Sequence, residues 1–257
     1  MMSDLLIELV RHYSPSRSES AAVFYLGEWL NAHGLTAHVD AAGNVCGRRG
    51  LADAPHTLLM LGHIDTVPGE IPVRVEDRAD GPILYGRGSV DAKGSLCAFA
   101  EAAAQATIPD GWRVIVIGAV EEEIETSKGA HYIRDQFSGE AAPDLCIIGE
   151  PSGANRITLG YKGHLMIDYA LSRPAAHTSR PEPSVGALGA AFWQNVLDWC
   201  ADRNADQNAK TVRDFDQVFP QLRAINTESD GFTDTVRLTI GFRLPPGLTP
   251  EDMTAAA

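Results

Sequence analysis

The first 150 residues alternate between short apolar runs and amphipathic stretches. Residues 57–62, 114–120 and 145–148 are continuous apolar runs of the kind found in buried parallel strands, and weaker strand patterns lie at 35–39 and 44–47. The order of these runs and of the amphipathic stretches between them predicts an α/β fold, in which helices flank a mostly parallel sheet.

Helical periodicity appears before and between these runs. Apolar stripes on residues 5–10 and 22–30 predict two N-terminal helices, and Ser16 and Glu19 have the spacing of a capping box ahead of the second. A third, Ala-rich helix is predicted to open at Asp91.

The pattern changes in the last part of the chain. Residues 160–171 and 235–244 alternate apolar and polar positions, as antiparallel strands with one wet face do. Residues 185–200 carry a helical apolar stripe, and the polar stretch 202–219 predicts a surface loop. The second part is therefore predicted to be a smaller α+β unit. The expected domains are residues 1–157 and 158–257.

Four clusters of acidic or imidazole side chains follow apolar runs in the first domain. They are His63 with Asp65, then Asp91, Glu121 to Glu123, and Glu150. Their spacing of about 30 residues is the length of one βα unit, and open α/β sheets place ligands at the carboxyl ends of their strands. We therefore expect one imidazole and several carboxylates to meet in one crevice, as in a metal-dependent hydrolase.

Taken singly, each cluster also has a structural explanation. Asp91 suits a helix N-cap, the Glu121–Glu123 run could be a solvated charged turn, and Glu150 could start a turn before Pro151. Jointly they favour a metal site. Mixed imidazole and carboxylate ligands suit zinc, cobalt or manganese, and two carboxylate-bridged ions would activate water for hydrolysis.

Composition narrows the class of protein. The chain has 44% apolar and 21% charged residues, which is typical of a globular protein, and its net charge of −13 argues against a nucleic-acid partner. Its apolar runs fall short of the roughly 18 residues that a membrane span needs, and the N-terminus lacks a signal-peptide pattern. The four cysteines are scattered without metal or disulfide spacing, so we expect free thiols and a cytoplasmic protein.

Four motifs resemble those of a known family. GHIDTVP, GRGSVDAKG, the triple-glutamate segment and GEPS occur in this order along the chain. In order and spacing they resemble the N-terminal blocks of the M20 group of co-catalytic metallo-amidohydrolases. That group includes acetylornithine deacetylase, succinyl-diaminopimelate desuccinylase and carboxypeptidase G.

The resemblance implies a role for each motif residue. Glu122 would act as the general base, and Asp65 would orient the imidazole ligand. Because Glu121 stands where the family has aspartate, a shift of one residue in the alignment would move the glutamate roles back by one place. The implied ligands of two divalent ions, zinc or cobalt with manganese as an alternative, are His63, a bridging Asp91, Glu123 and Glu150.

The resemblance also implies that the second domain is a ferredoxin-like lid through which a homodimer forms. His177 resembles the histidine that reaches across that dimer to the oxyanion, although a surface histidine in a Pro-rich loop is the alternative. Arg243 and Asn226 resemble residues that bind a substrate carboxylate and polar groups, and a structural surface strand explains Asn226 nearly as well.

Within the family, the motifs look most like the branch of lysine and arginine biosynthesis. Its enzymes release lysine or ornithine from a glutamyl amide on a small acidic amino-group carrier protein. Lys162, Arg173 and Arg180 could receive such a carrier, although the net charge of −13 opposes an acidic partner. An N-acyl-amino-acid deacylase or exopeptidase with the same site is the alternative enzyme.

One departure from the family concerns the end of the chain. The family supplies a final metal-binding histidine near its C-terminus, whereas this chain ends at Ala257 with no histidine after His177. We therefore expect a truncated chain with weak metal binding and little activity. A non-catalytic binding or dimerisation fragment is the alternative outside the enzyme class.

Overall fold

The computed structural model describes residues 3–153, 155–177, 181–205 and 214–256. The chain forms two compact units, Met1–Arg156 and Ile157–Ala257. Within the described ranges, no helix is long and apolar enough to cross a membrane. The four cysteines are free thiols, as their scattered spacing predicts.

The first unit contains a sheet, a small two-stranded ribbon and four α-helices along its described part. Its elements in chain order are α1 (Asp4–Arg11), α2 (Ser20–Ala32), β1 (Thr36–Val39), β2 (Val45–Gly50), β3 (His56–His63), β4 (Arg74–Glu76), β5 (Ile83–Tyr85), α3 (Lys93–Gln105), β6 (Trp112–Ala119), α4 (Lys128–Gln136), a 3-10 turn (Gly139–Ala141) and β7 (Leu145–Gly149).

The five-stranded sheet has the order β1-β2-β6-β3-β7. Strand β3 pairs in parallel with β6 and β7, whereas β1 with β2 and β2 with β6 are antiparallel. The α/β class is confirmed, but the sheet is mixed rather than mostly parallel, because β1 and β2 form a hairpin that adds to the parallel strands. The parallel part puts the carboxyl ends of β6, β3 and β7 side by side at one edge.

Helices cover the sheet because each presents an apolar face to it. Leu9 of α1, Leu26 of α2 and Leu96 of α3 are fully buried in one cluster with Met60 and Val116 of the sheet. Gly149 permits the close approach of α3, since a Cβ at this position would lie 2.7 Å from the Phe99 ring and 2.9 Å from the Ser95 side chain. The opposite face carries a smaller apolar cluster that includes Ile133 of α4.

The capping box predicted from Ser16 and Glu19 is not formed. Helix α2 begins at Ser20, and its cap residue Glu19 makes no side-chain capping bond. Both side chains have other bonds instead. The Ser16 hydroxyl donates to Asp65 Oδ2 at 2.7 Å, and Glu19 Oε1 accepts from the Glu121 N–H at 3.1 Å.

The second unit contains β8 (Gly163–Pro174), α5 (Val185–Ala205), a 3-10 turn (Asp214–Asp216), β9 (Phe219–Ser229), β10 (Thr233–Leu244) and α6 (Pro250–Ala256). Its three strands form an antiparallel sheet of order β8-β10-β9. Its core joins α5 to the inward faces of the strands, and the Tyr169 ring stacks on Phe192 at 3.9 Å. The pattern did not predict the strand that begins at Phe219, where a loop was expected to end.

We expect Leu26→Ala to lower the free energy of unfolding by about 2–5 kcal/mol, because it leaves a cavity beneath α2 where Leu26 is fully buried. Phe24 lies on the same helix with 68% of its surface exposed, so Phe24→Ala should change stability by less than about 0.5 kcal/mol. Urea denaturation followed by circular dichroism measures both. Equal losses in the two variants would contradict the assigned core.

Candidate metal centre

His63 lies at the centre of the predicted cluster. It is the last residue of β3 and is 2% exposed. Its Nδ1 donates to the carbonyl oxygen of Asp65 at 2.9 Å, which leaves Nε2 directed towards carboxylates. Nε2 lies 2.9 Å from Asp91 Oδ1 and 3.9 Å from Glu122 Oε2.

Asp91 faces the imidazole and does not cap a helix. Helix α3 begins at Lys93, and its cap residue Ala92 makes no side-chain capping bond. The helix-cap interpretation of Asp91 is therefore wrong. Its carboxylate is bonded to His63 and is about half exposed, so it has room for further contacts.

The turn after β6 separates the three adjacent glutamates. Glu121 has a left-handed backbone with φ of 57°, a conformation that costs a non-glycine residue about 1–2 kcal/mol. Its carboxylate accepts a hydrogen bond from Thr126 Oγ1 at 2.8 Å and lies 3.8 Å from Arg17 Nε and 4.0 Å from Lys128 Nζ. Glu121 is thus engaged outside the cluster, and the next two glutamates are the ones that join it.

Two overlapping groups of side chains have the geometry of metal ligands. One consists of His63, Glu122 and Glu123, and the other of His63, Asp91 and Glu150. Within each group, one potential ligand atom per residue lies within 4.8 Å of the others. The edge of the parallel strands explains this convergence, because His63 pairs with Ala119 and Gly62 with Gly149 in register.

Asp65 is fully buried next to this cluster. Its Oδ1 accepts the N–H of Glu122 at 3.0 Å, and its Oδ2 accepts the N–H of Glu123 at 3.0 Å together with the Ser16 hydroxyl. Its Oδ1 also lies 3.5 Å from His63 Nδ1. Asp65 therefore contacts both the imidazole and the backbone that carries the two glutamates.

The crowding of carboxylates shifts their protonation. Burial acts to lower the pKa of His63, but its bonds to Asp65 and Asp91 and the neighbouring glutamates raise that pKa to about 10. Burial, reinforced by repulsion between carboxylates, raises the pKa of Glu150 to about 7 and also raises that of Glu123. Burial alone would raise the pKa of Asp65, yet its hydrogen bonds hold it below the ordinary value.

The donor set fits divalent cations. One imidazole and four carboxylates share a small space, and the raised pKa values of Glu150 and Glu123 indicate that negative charge there is incompletely balanced. Oxygen and nitrogen donors of this kind suit zinc, cobalt and manganese. The part of the chain that supplies them runs from residue 63 to residue 150.

Sequence patterns missed three supporting residues. Ser16 and Glu19 were interpreted as a capping box. Lys93 was assigned no role, yet it is fully buried, and its Nζ donates to the carbonyl oxygens of Leu9 at 3.1 Å and His12 at 2.8 Å. Burial lowers its pKa to about 8. The available signal was a lysine inside the GRGSVDAKG motif, two positions after the candidate ligand Asp91.

The second unit carries the remaining candidates. His177 is exposed and precedes residues 178–180, so Arg180 lies outside the described residues. Asn226 pairs with Arg237 on β10, six positions from Arg243, which is about 20 Å along a strand. Within this unit, Asn226 and Arg243 therefore lie too far apart to bind the same small group.

Two sequence relatives each match most of the chain. The chain is 42% identical to the [LysW]-lysine hydrolase of Deinococcus radiodurans over 251 residues, which are 96% of this chain and 66% of the relative. It is 31% identical to the [LysW]-lysine/[LysW]-ornithine hydrolase of Saccharolobus islandicus, over 68% of this chain and 47% of that protein. The chain thus spans about two thirds of the first relative's length.

Solved structures share the fold. A metallo-carboxypeptidase of the M20 family from Sulfolobus solfataricus matches with a TM-score of 0.67 and 19% identity, over 99% of this chain and 74% of that one. A tripeptidase from Staphylococcus aureus matches with a TM-score of 0.63 and 18% identity, over 98% and 67%. The model of peptidase family M20/M25/M40 matches residues 59–257. With its ligand-like cluster at the ends of the parallel strands, the chain belongs to peptidase family M20/M25/M40.

Proposed function

We propose that this chain acts in a metal-dependent hydrolase that releases lysine or ornithine from an amide. The observation that carries the proposal is the convergence of His63, at the end of β3, with carboxylates that follow β6 and β7 and with one that precedes α3. The relative from Deinococcus radiodurans, a [LysW]-lysine hydrolase, supports lysine as the released amino acid. The acyl side of the bond would be a glutamyl group on an amino-group carrier protein, or a simple acyl group.

Two divalent ions, zinc or cobalt with manganese as an alternative, fit the ligand cluster. His63 and Glu150 would hold one ion, Glu123 would hold the other, and Asp91 would bridge them. The two overlapping groups support this division, since Glu123 occurs in one group and Glu150 in the other. When bound, such ions polarise an amide carbonyl and lower the pKa of water.

Glu122 is our candidate for the general base. Its side chain is about two-fifths exposed and its Oε2 lies 3.9 Å from His63 Nε2, so it borders the cluster while remaining open to substrate. Glu122 would take a proton from the attacking water and return it to the departing amine nitrogen as the C–N bond breaks. Asp65 would keep His63 and the glutamate turn in place.

We assign the second unit the role of a lid and dimerisation domain. Its order of strand, helix, two strands and helix supports a ferredoxin-like arrangement. In a homodimer, His177 would donate a hydrogen bond to the oxyanion. Arg243 would bind a substrate carboxylate and Asn226 a separate polar group, in keeping with their distance along β10.

An acidic carrier protein is the proposed macromolecular partner. Lys162 lies with its Nζ 3.7 Å above the Phe219 ring, and Arg173 is exposed at the end of β8. These cations, together with Arg180, would contact carboxylates of the carrier. Lys162 and Arg173 lie at opposite ends of β8, so they would contact separate carboxylates of the carrier, while the net charge of −13 opposes an acidic partner.

The carrier-linked substrate and the simple acyl substrate are separable by experiment. Lysine release is measured from a glutamyl-lysine amide on the carrier and from N-acetyl-lysine, with protein in excess so that a slow single turnover is detected. Faster release from the carrier supports the carrier-dependent hydrolase. Release from N-acetyl-lysine alone supports the N-acyl-amino-acid deacylase, and release from neither contradicts the proposed function.

We expect Glu122→Gln to lower the rate of lysine release by about 10²–10⁴-fold, the usual contribution of a general base, while metal content stays unchanged. The matched control is Glu121→Gln, because the Glu121 carboxylate contacts Thr126 outside the cluster. Turnover and metal content of each variant are measured together. If Glu121→Gln loses activity and Glu122→Gln keeps it, the general base has been misassigned.

Metal affinity should rise with pH, because a ligand must lose its proton before it binds an ion. His63 has a pKa of about 10 and Glu150 of about 7. Below pH 7, both His63 and Glu150 must lose a proton before the ion binds. Above pH 7, Glu150 is already ionised, and only His63 must lose a proton. The logarithm of the Co²⁺ association constant should therefore rise by about 2 per pH unit below pH 7 and by about 1 above it.

Co²⁺ titrations between about pH 6 and 8, followed by visible absorption, measure these slopes. His56→Gln is the control, since His56 is an exposed histidine that is bonded to Asp144 and lies at the start of β3, the opposite end of the strand from His63. This variant should keep both slopes. An affinity that does not change with pH would contradict the assignment of His63 as a ligand.

A further inference from the structure

We propose that Ser16 and Glu19, on the segment before α2, are positioning residues that hold the Glu121–Glu123 turn so that Glu122 and Glu123 face His63. Part of this proposal rests on the proposed function, because the orientation of Glu122 and Glu123 affects activity only if they belong to a metal site. The hydrogen bonds that carry it lie in the first unit and can be tested without metal. Neither residue would touch metal or substrate.

The segment from Ser14 to Ser16 is fixed against the strand end that carries the cluster. The Ser14 hydroxyl donates to the carbonyl oxygen of Ile64 at 2.8 Å, and the Thr66 N–H donates to the carbonyl oxygen of Ser14 at 2.9 Å. The Ser16 N–H returns a bond to the carbonyl oxygen of Thr66 at 3.3 Å. Residues 14–16 therefore run beside residues 64–66, and the Ser16 hydroxyl is directed to Asp65 by its backbone.

Ser16 reaches the glutamates through one carboxylate. Its hydroxyl shares Asp65 Oδ2 with the N–H of Glu123, at 2.7 and 3.0 Å. Asp65 is fully buried, so water replaces a lost donor less readily there than at the surface. Without Ser16 the carboxylate would have to reorient towards its remaining donors, and the peptide bonded to it would move with it.

Glu19 holds the first peptide of the same turn. Its Oε1 accepts the N–H of Glu121 at 3.1 Å and the N–H of Arg17 at 2.9 Å, and the residue is only 6% exposed. Both donors belong to residues with positive φ, 57° for Glu121 and 72° for Arg17. Backbone in this region persists where surrounding bonds hold it, and the Glu19 carboxylate supplies such bonds to both.

Together the two residues hold three successive peptide N–H groups of the turn, one of them directly and two of them through Asp65. Glu19 binds the first directly, and Ser16 secures the Asp65 carboxylate that binds the second and third. A rotation of these peptides would swing the attached side chains away from His63. The segment before α2 thus sets the direction of residues more than a hundred positions further along the chain.

The first readout is amide hydrogen exchange of the 119–127 peptide in metal-free protein. Ser16→Ala should speed exchange at Glu122 and Glu123 by about tenfold or more, and Ser16→Thr, which keeps the hydroxyl, should restore protection. The matched control is Ser3→Ala, because the Ser3 hydroxyl also makes a distant bond, to Glu101 at 2.5 Å, and caps α1. Unchanged exchange in Ser16→Ala, or equal acceleration in Ser3→Ala, would overturn the proposal.

The second readout is Co²⁺ affinity. Loss of a residue that orients metal ligands typically weakens binding by about 10–100-fold, so Ser16→Ala should show a loss of that size while Ser3→Ala changes thermal stability alone. Glu19→Ala should behave like Ser16→Ala, and Glu19→Gln, which keeps an acceptor oxygen, should stay near wild type. Equal Co²⁺ affinity in the wild type and these four variants would contradict the positioning role.

These readouts separate the two proposals. If wild-type protein binds no Co²⁺, the metal assignment fails, and the exchange measurement still decides whether Ser16 and Glu19 hold the turn. If Co²⁺ binds with wild-type affinity in Ser16→Ala and Glu19→Ala, the metal site stands and the positioning role is refuted.

Discussion

The buried charge of Asp65 is the constraint on which the first unit's site depends. Removing a carboxylate from water costs several kcal/mol unless donors replace its hydration. Here those donors come from the segment before α2, from the turn after β6 and from the imidazole at the end of β3. Satisfying one charge therefore fixes three distant segments against each other, and the fold around the cluster follows from that requirement.

The cluster itself has the opposite electrostatic character. Asp65 has enough donors to hold its pKa low, whereas Glu150 and Glu123 face other carboxylates and have raised pKa values. Carboxylates of the same kind thus behave differently because their surroundings differ. The carboxyl ends of the parallel strands keep like charges close together, and Asp65 bonds the backbone of the two glutamates among them.

The sequence indicated the fold where a local pattern carried the information. The apolar runs at 57–62 and 114–120 became β3 and β6, because buried strands need apolar residues on both faces. The run at 145–148 became β7, but the prediction that this strand is buried is wrong, because β7 lies at the edge of the sheet and most of its residues are exposed. Strand β9 was missed, since most of its residues are polar and exposed. Ser16 was misread because a capping motif and a bond to a residue 49 positions away look identical in sequence. The backbone φ of Glu121, which directs its carboxylate away from the cluster, has no local signature.

The division of the chain into two units also sets the order in which its parts are synthesised. The first unit ends at Arg156. All of the candidate ligands and the residues that bond their backbone precede it, namely His63, Asp91, Glu122, Glu123 and Glu150 with Ser16, Glu19 and Asp65. A ribosome delivers a chain from its N-terminus, and domains fold as they emerge. The candidate ligands that the first unit supplies therefore leave the ribosome before synthesis of the second unit is complete, so the order of translation would give divalent ions an early opportunity to meet them.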